Sequence, residues 1–358
     1  MHKNTKRYTI WAGWAISLLF VGLAIWKMDL GKVWESMKMV NFVWIIPAVA
    51  INFSIICVRS ARWRVFIEPV KHISFLSTLS AMAIGFMANM VLPARIGEVV
   101  RALVLSEKEK VPMGSAFGTV VIERVFDGLS VVVLMAITLA LVTPATADAA
   151  EMFDGIKIAG LSASAVFITV FFIIYLFHKQ IRPVVWIIDK TTGILPGAWG
   201  HKVREMLESI RKGLDSIDHG GRIIRIALWS VPVWALAAPF NLLIFQSMGL
   251  ELPWSSGFVV LVTQVFGLMV PSGPGFVGAY HAATMAGLMF YGVDKETALS
   301  VAVVMHLVVF VAQTTPGFYF LWKDGDTLGG IQEREEKAEE MLEEETAAET
   351  KAPESVAP

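Results

Sequence analysis

Three clusters of polar residues interrupt an otherwise apolar chain, and their side-chain types suit anion binding and proton exchange. The first is Ile122-Glu123-Arg124-Val125-Phe126-Asp127. The apolar run after it ends at Thr143-Pro144. A spanning helix needs about 20 residues, so counting back from Val142 places Glu123 at or inside the inner edge of the hydrocarbon. Leu129 to Val142 alone is too short to cross. Each charge at that depth costs about 2.5–3.5 kcal/mol on insertion scales, so it needs a partner or a purpose. Helical spacing puts Glu123 and Asp127 on one face and lets Arg124 reach Asp127 at i+3. The second cluster is Pro93-Ala94-Arg95-Ile96-Gly97-Glu98-Val99-Val100-Arg101. Proline removes a backbone donor and breaks a helix, and Gly97 permits close backbone approach. Arg95, Glu98 and Arg101 then stand on or just after the break. An arginine there holds a phosphate or carboxylate bidentately, and the helix that restarts offers free N–H groups to an anion. The same arginines would neutralise Glu123 and Asp127, so a structural ion-pair lock is the plainer alternative; for Arg101 another is snorkelling to the interface. The third cluster, Pro271-Ser272-Gly273-Pro274-Gly275 with Gly278, Tyr280 and His281, packs five breakers into eight residues. His281 titrates near neutral pH and is a candidate proton carrier, or simply a packed hydrogen-bond donor. Asn241, Gln264, His306 and Gln313 read as interhelical hydrogen-bonding residues.

The elements that position these clusters must lie in a membrane. Charged residues make up 17% of the chain and hydrophobic ones 55%, with a mean hydropathy of +0.62; soluble domains carry roughly 25% charged residues. The net charge of −1 conceals a split: residues 324–358 hold 12 Asp/Glu against 3 Lys/Arg, and the preceding 323 hold 27 Lys/Arg against 19 Asp/Glu. The expected apolar segments are Ile10–Trp26, Phe42–Val58, Phe75–Leu92, Ala116–Thr143, Ile158–Phe177, Ile226–Met248, Trp254–Val270, Phe276–Tyr291 and Ala298–Trp322. Phe75–Leu92 runs into Pro93, and the short Trp254–Val270 and Phe276–Tyr291 flank Pro271 to Gly275. Short, Gly/Pro-interrupted apolar segments mark broken or re-entrant helices, which are tolerated only where protein or a wet cavity covers the break.

The expected fold is therefore an all-α polytopic membrane protein with six full spans and two oppositely oriented re-entrant helical hairpins, about 75–105 and 254–291, arranged as an inverted repeat. The positive-inside rule puts both termini in the cytoplasm. It assigns Arg59, Arg62, Arg64 and Lys71 to an inner loop, Asp148, Glu151 and Asp154 to an outer one, and the nine Lys/Arg of His178–Arg225 to the cytoplasm. Lys27, Lys32 and Lys38, on the outer side, are the misfit. Trp199, Val203, Met206, Leu207, Ile210, Leu214 and Ile217 share one face of a cytoplasmic amphipathic helix. The division expected is a membrane domain, 1–323, and an acidic tail, 324–358, that is largely disordered. Ile10–Trp26 lacks a small-residue cleavage site and reads as a retained span. The single Cys57 excludes an internal disulfide, and no nucleotide, dinucleotide or metal-ligand motif stands out.

Asn89-Met-Val-Leu-Pro93-Ala-Arg95-Ile-Gly97-Glu98-Val-Val-Arg101, followed by Ile122-Glu123-Arg124-Val-Phe-Asp127, resembles the signature of the lysylphosphatidylglycerol synthase transmembrane-region family, also called flippase-like or UPF0104 proteins. Pro271-Ser-Gly-Pro274-Gly275-Phe-Val-Gly278 is similar to the later Pro-Gly-rich break of that family. The resemblance covers roughly residues 10–322. Members often carry a glutamate where His281 stands, which puts an acid role there in question. Multifunctional members also have a soluble aminoacyl-transferase domain after the spans, where this sequence has its acidic tail.

What the resemblance implies is a cell-membrane protein that is not an enzyme, needs no cofactor or metal and binds no nucleic acid. Its partners would be anionic or lipid-linked membrane lipids, with a membrane or homo-oligomeric protein partner as a further expectation. As a flippase-like transporter it would take the headgroup into a polar vestibule lined by Arg95, Glu98, Arg101, Glu123, Arg124 and Asp127. Pro93 and Gly97 would break one hairpin; Pro271, Ser272, Pro274, Gly275, Gly278 and His281 would gate the other. The alternatives are a non-catalytic membrane partner that presents lipid to a biosynthetic enzyme, and a membrane-embedded lipid-modifying transferase with Glu98 or Asp127 as base.

Overall fold

The computed structural model describes residues 29–92, 96–142, 147–194, 221–269, 272–331 and 333–334. The expected span Ile10–Trp26, the amphipathic segment Trp199–Ile217, most of the acidic tail, and Pro93, Arg95 and Pro271 lie outside them.

The described chain is all-α. Helix α1 (Leu30–Lys38) starts on Asp29, whose carboxylate accepts from the N–H groups of Gly31 and Lys32. Asn41 caps α2 (Phe42–Ile67) through the N–H of Val43. Ser74 caps α3 (Phe75–Val91). That helix stops at Leu92, which is extended at φ −93° and ψ 149°, the conformation a following proline imposes. Helix α4 (Gly97–Glu109) ends on Lys110 in the left-handed region, and α5 (Met113–Leu141) follows Pro112. Then come α6 (Ala147–His178) and α7 (Arg182–Ile194). Helices α8 (Arg222–Ala235) and α9 (Ala237–Ser247) meet at Leu236. Pro239 has no N–H to give the carbonyl of Ala235, so the chain bends there instead of running straight. Helix α10 (Ser255–Met269), a 3₁₀ turn (Pro274–Phe276), α11 (Ala279–Met289) and α12 (Lys295–Lys323) complete the order.

Among the described residues four helices are long and apolar enough to cross a bilayer: Phe42–Ile67, Gly160–Phe177, the bent Arg222–Ser247 and Lys295–Lys323. Their outward faces are apolar and exposed, as at Ile158, Val166 and Phe172 on α6, Leu228 and Val231 on α8, and Leu307 and Val311 on α12. Exposed apolar surface on this scale is what a lipid-facing protein presents.

Two helix–break–helix units pack against this frame. In α3/α4 a Cβ on Gly97 would stand 2.1 Å from the carbonyl oxygen of Gly85, and one on Gly85 would stand 2.7 Å from that of Gly97. The helices touch backbone to backbone, which only glycine allows. Asn89 bridges the break by accepting the Gly97 N–H at 2.8 Å. In α10/α11 the corresponding close contacts are Gly267 on Ala283 and Gly287 on Val260. Trp63, Phe66, Met82, Met87 and Leu105 fill the core around the first unit; Ile244, Phe245, Val260, Leu288 and Met305 fill that of the second.

Several expected boundaries move. Helix α2 continues through Arg59, Arg62 and Arg64 to Ile67, so these arginines are helical and not in a loop. Helix α6 begins at Ala147 and takes in Asp148, Glu151 and Asp154. The basic stretch after His178 contains α7.

Candidate functional site

The charged residues singled out in the sequence sit on three helices that converge. Helix α5 supplies Glu123, Arg124 and Asp127; α2 supplies Arg59 and Arg62; α4 supplies Glu98 and Arg101. Arg101 Nη1 donates to Glu123 Oε2 at 2.7 Å, and Arg62 Nη2 donates to both Glu123 Oε1 at 2.8 Å and Asp127 Oδ1 at 2.7 Å. Arg59 Nη1 reaches Asp127 at 3.2 Å, and Arg124 Nη2 reaches Asp127 at 3.3 Å, the expected i+3 contact. Glu98 accepts from Asn89 Nδ2 at 3.3 Å. Arg101 also lies 5.1 Å from the Trp63 ring.

Burial divides the cluster. The side chains of Arg62 and Glu123 are 0% exposed and that of Arg101 is 3% exposed, whereas Arg124 is 42% exposed. Removing charges from water costs several kcal/mol per ion, so the buried trio persists only because its members pair at hydrogen-bonding distance. In front of it lie two adjoining cavities of about 360 and 580 Å³, both lined by Arg59, Glu98 and Arg124. Asp127 lines the larger. Four guanidinium groups meet three carboxylates here, and two of the guanidinium groups face the cavities.

The breaks of the two hairpins adjoin. Gly275, at φ +65°, lies tight against the first hairpin, since a Cβ there would stand 3.1 Å from the Met90 carbonyl oxygen. Asn89, Met90, Gly275 and Phe276 all line the smaller cavity. Ser272 is buried and Pro274 opens the 3₁₀ turn. Gly278, at φ +86°, donates its N–H to His281 Nδ1 at 3.3 Å, and His281 Nε2 lies 3.4 Å from His306 Nδ1. The ring nearest the cavity is therefore His306, with His281 behind it. Gln264 bonds Tyr280 and Thr284, and Asn241 bonds the Gly257 carbonyl, the interhelical role expected of them. Among the described residues no group of three or more His, Cys, Asp or Glu is placed to hold a metal ion.

Sequence reasoning brought together Glu98, Arg101, Glu123, Arg124 and Asp127. It missed Arg59 and Arg62, which it assigned to a loop as markers of the inner side. The available signal was their spacing: Ile55, Ile56, Arg59 and Arg62 continue one helical stripe into Trp63 and Phe66.

A family model described as the lysylphosphatidylglycerol synthase TM region matches residues 10–317. The chain belongs to this family. Both hairpins and the whole charge cluster fall inside the matched range, and the family described is that of a transmembrane region. The chain is 26% identical over 305 residues to a UPF0104 membrane protein of Methanothermobacter thermautotrophicus, covering 78% of this chain and 85% of that one. It is 23% identical to a UPF0104 membrane protein of Pyrococcus horikoshii, covering 86% and 95%. It is 24% identical to the glycosyltransferase AglD of Haloferax volcanii over 85% of this chain and 52% of AglD, so it spans about half that protein's length. No solved structure matches the chain.

Proposed function

We propose that this protein is a flippase-like transporter that binds an anionic or lipid-linked headgroup at the meeting point of its two hairpins and carries it across the bilayer. The observation that carries this reading is the excess of guanidinium over carboxylate at the smaller cavity, which both breaks line and where Arg59 and Arg124 face the space opposite the one carboxylate of Glu98. A site with that balance attracts a phosphate, and a planar guanidinium holds one bidentately. Arg62, Arg101 and Glu123 lie behind and fix the positions of the exposed pair; Arg101 thus acts by positioning, and Arg95 would add to the anion site from the adjoining break. Asp127 and Glu98 tune the arginines or exchange protons with them.

The hairpin arms support a re-entrant arrangement. At 1.5 Å per residue, α3 extends about 25 Å, α4 about 20 Å, α10 about 22 Å and α11 about 16 Å, short of a hydrocarbon core of about 30 Å. With Ile10–Trp26 and α5 added to the four long apolar helices, six spans and two opposed hairpins result, with both termini cytoplasmic. Rocking one span–hairpin–span unit against the other would open the headgroup site to each leaflet in turn, with Pro271, Ser272, Pro274, Gly275, Gly278 and His281 as the opposing gate to Pro93 and Gly97.

The test is reconstitution of the purified chain into vesicles with headgroup-labelled anionic lipid. Movement between leaflets that falls at least tenfold in Arg124→Ala, with the fold retained, supports the proposal; movement unaffected by that change refutes it. The half-length match to AglD favours a second reading, a membrane partner that presents lipid to a separate enzyme. In that case lipid moves or becomes accessible only when the enzyme is present.

A further inference from the structure

The charged edge of the smaller cavity accounts for only part of its lining. The rest is mostly apolar, with Ile55, Phe86, Phe240 and Leu268 among it, and carries a few uncharged polar groups, most of them already engaged: Asn89 with Gly97 and Glu98, Asn241 with Gly257, Gln264 with Tyr280 and Thr284. Asn52 and Gln313 are different. Both line the cavity, and neither has a hydrogen-bond partner among the described residues, although Asn52 is only 6% exposed. Amides that open onto a cavity without a protein partner can take the hydrogen bonds that a ligand offers.

Their placement indicates which ligand. Asn52 and Arg59 share one stripe of α2, seven residues and about 10 Å apart along the axis. Gln313 shares a stripe of α12 with His306, whose ring lies 5.1 Å from that of Tyr280 at 31°. A neutral amide donates and accepts at once, which complements hydroxyl groups and not a charge. At the smaller cavity two guanidinium groups, Arg59 and Arg124, stand against one carboxylate, Glu98, a balance that disfavours a cationic amine there.

Building on the proposed headgroup site, we infer that Asn52 and Gln313 form a second, uncharged subsite for the hydroxyls of a sugar- or polyol-phosphate headgroup whose phosphate rests on Arg59 and Arg124, and that aminoacylated, cationic headgroups are excluded.

The experiment titrates the full chain in detergent with three short-chain lipids: phosphatidylinositol, phosphatidic acid and a lysyl ester of phosphatidylglycerol. Phosphatidylinositol should bind roughly tenfold tighter than phosphatidic acid, the factor expected of about one net hydrogen bond to a buried group, and the lysyl ester should bind worst. Asn52→Leu and, on a different helix, Gln313→Met should each bring phosphatidylinositol down to the level of phosphatidic acid and leave phosphatidic acid unchanged; that unchanged binding also reports an intact fold. Arg124→Ala should weaken both lipids. The inference is overturned when phosphatidylinositol has no advantage, when Asn52→Leu and Gln313→Met weaken both lipids equally, or when the lysyl ester binds as well as phosphatidylinositol. Phosphatidic acid binding that is absent, or indifferent to Arg124→Ala, overturns the headgroup site itself and this subsite with it. Soluble glucose 1-phosphate binding as tightly as phosphatidylinositol, with the same dependence on Asn52, supports the subsite and assigns it to a free sugar phosphate.

Discussion

Glu123 makes the sharpest quantitative test of the charge cluster. Its carboxylate is 0% exposed and holds Arg101 at 2.7 Å and Arg62 at 2.8 Å. Glu123→Gln keeps the shape and removes the charge. Arg62 still has Asp127 at 2.7 Å, but Arg101 loses its one salt bridge among the described residues and stays 2% exposed. Stranding a buried charge in this way costs about 3–5 kcal/mol. With Trp63 and the Met82 sulfur still against the guanidinium, the expected loss is at the low end, about 3 kcal/mol. Arg101→Met should cost a similar amount because it strands half of Glu123. The double variant removes both members together, so its cost should fall below the sum of the singles by about 2 kcal/mol or more. The assay is reversible unfolding in mixed micelles, read by tryptophan fluorescence, to which Trp63 contributes directly. Single effects that add within about 0.5 kcal/mol, the behaviour of independent sites, would refute the pairing, as would a Glu123→Gln variant as stable as the parent.

Gly97→Ala should destabilise by about 1–3 kcal/mol, the cost of overpacking, because its Cβ would stand 2.1 Å from a backbone oxygen; thermal unfolding of the purified chain reads this. Asp294→Ala removes the carboxylate that accepts the Thr297 N–H at 2.9 Å at the start of α12 and should cost about 1 kcal/mol in the same assay. At the loop-side end of α4, a hydrogen bond from Ser77, together with the Lys71 ammonium, holds the Glu109 carboxyl below its ordinary value of 4.5. Its folded value lies below its unfolded one, so the Lys71–Glu109 contact stabilises fully above pH 4.5 and fades as pH falls through the lower folded value. Lys71→Ala should therefore lower stability at pH 7 by less than about 1 kcal/mol and by a smaller amount in acid, where the Lys71 hydrogen bond to the Glu109 carbonyl at 2.6 Å remains after the ion pair is gone; an equal loss at both would sink the assignment.

The parts of the site read correctly from sequence are those whose cause is local. Helical spacing paired Arg124 with Asp127, and the Pro93–Gly97 break predicted the close contact that Gly97 makes. The two arginines of α2 were lost because the positive-inside rule treats Lys and Arg as markers of a boundary. That rule holds for unpaired charge. Here Glu123 and Asp127, 61 and 65 residues away, neutralise Arg62, and a periodicity window does not see a partner at that distance. The pairing of His281 with His306 was hidden for the same reason, being set by how α11 packs on α12. The α8–α9 bend was legible in principle from Pro232 and Pro239, yet the run of apolar residues around them reads as one uninterrupted helix.

Because Arg62 binds acids that lie 61 and 65 residues later in the chain, the order of synthesis matters. A ribosome adding about 5–20 residues per second needs about 3–12 s to reach α5 after α2 has emerged. During that interval Arg62 is without the two carboxylates it binds in the folded chain. An arginine without its partner is costly to place in hydrocarbon, so the pairing favours α2 and α5 settling together. Biogenesis of this protein is therefore tied to a handover between distant segments, and a chain stalled between them is the form a membrane quality-control protease would meet.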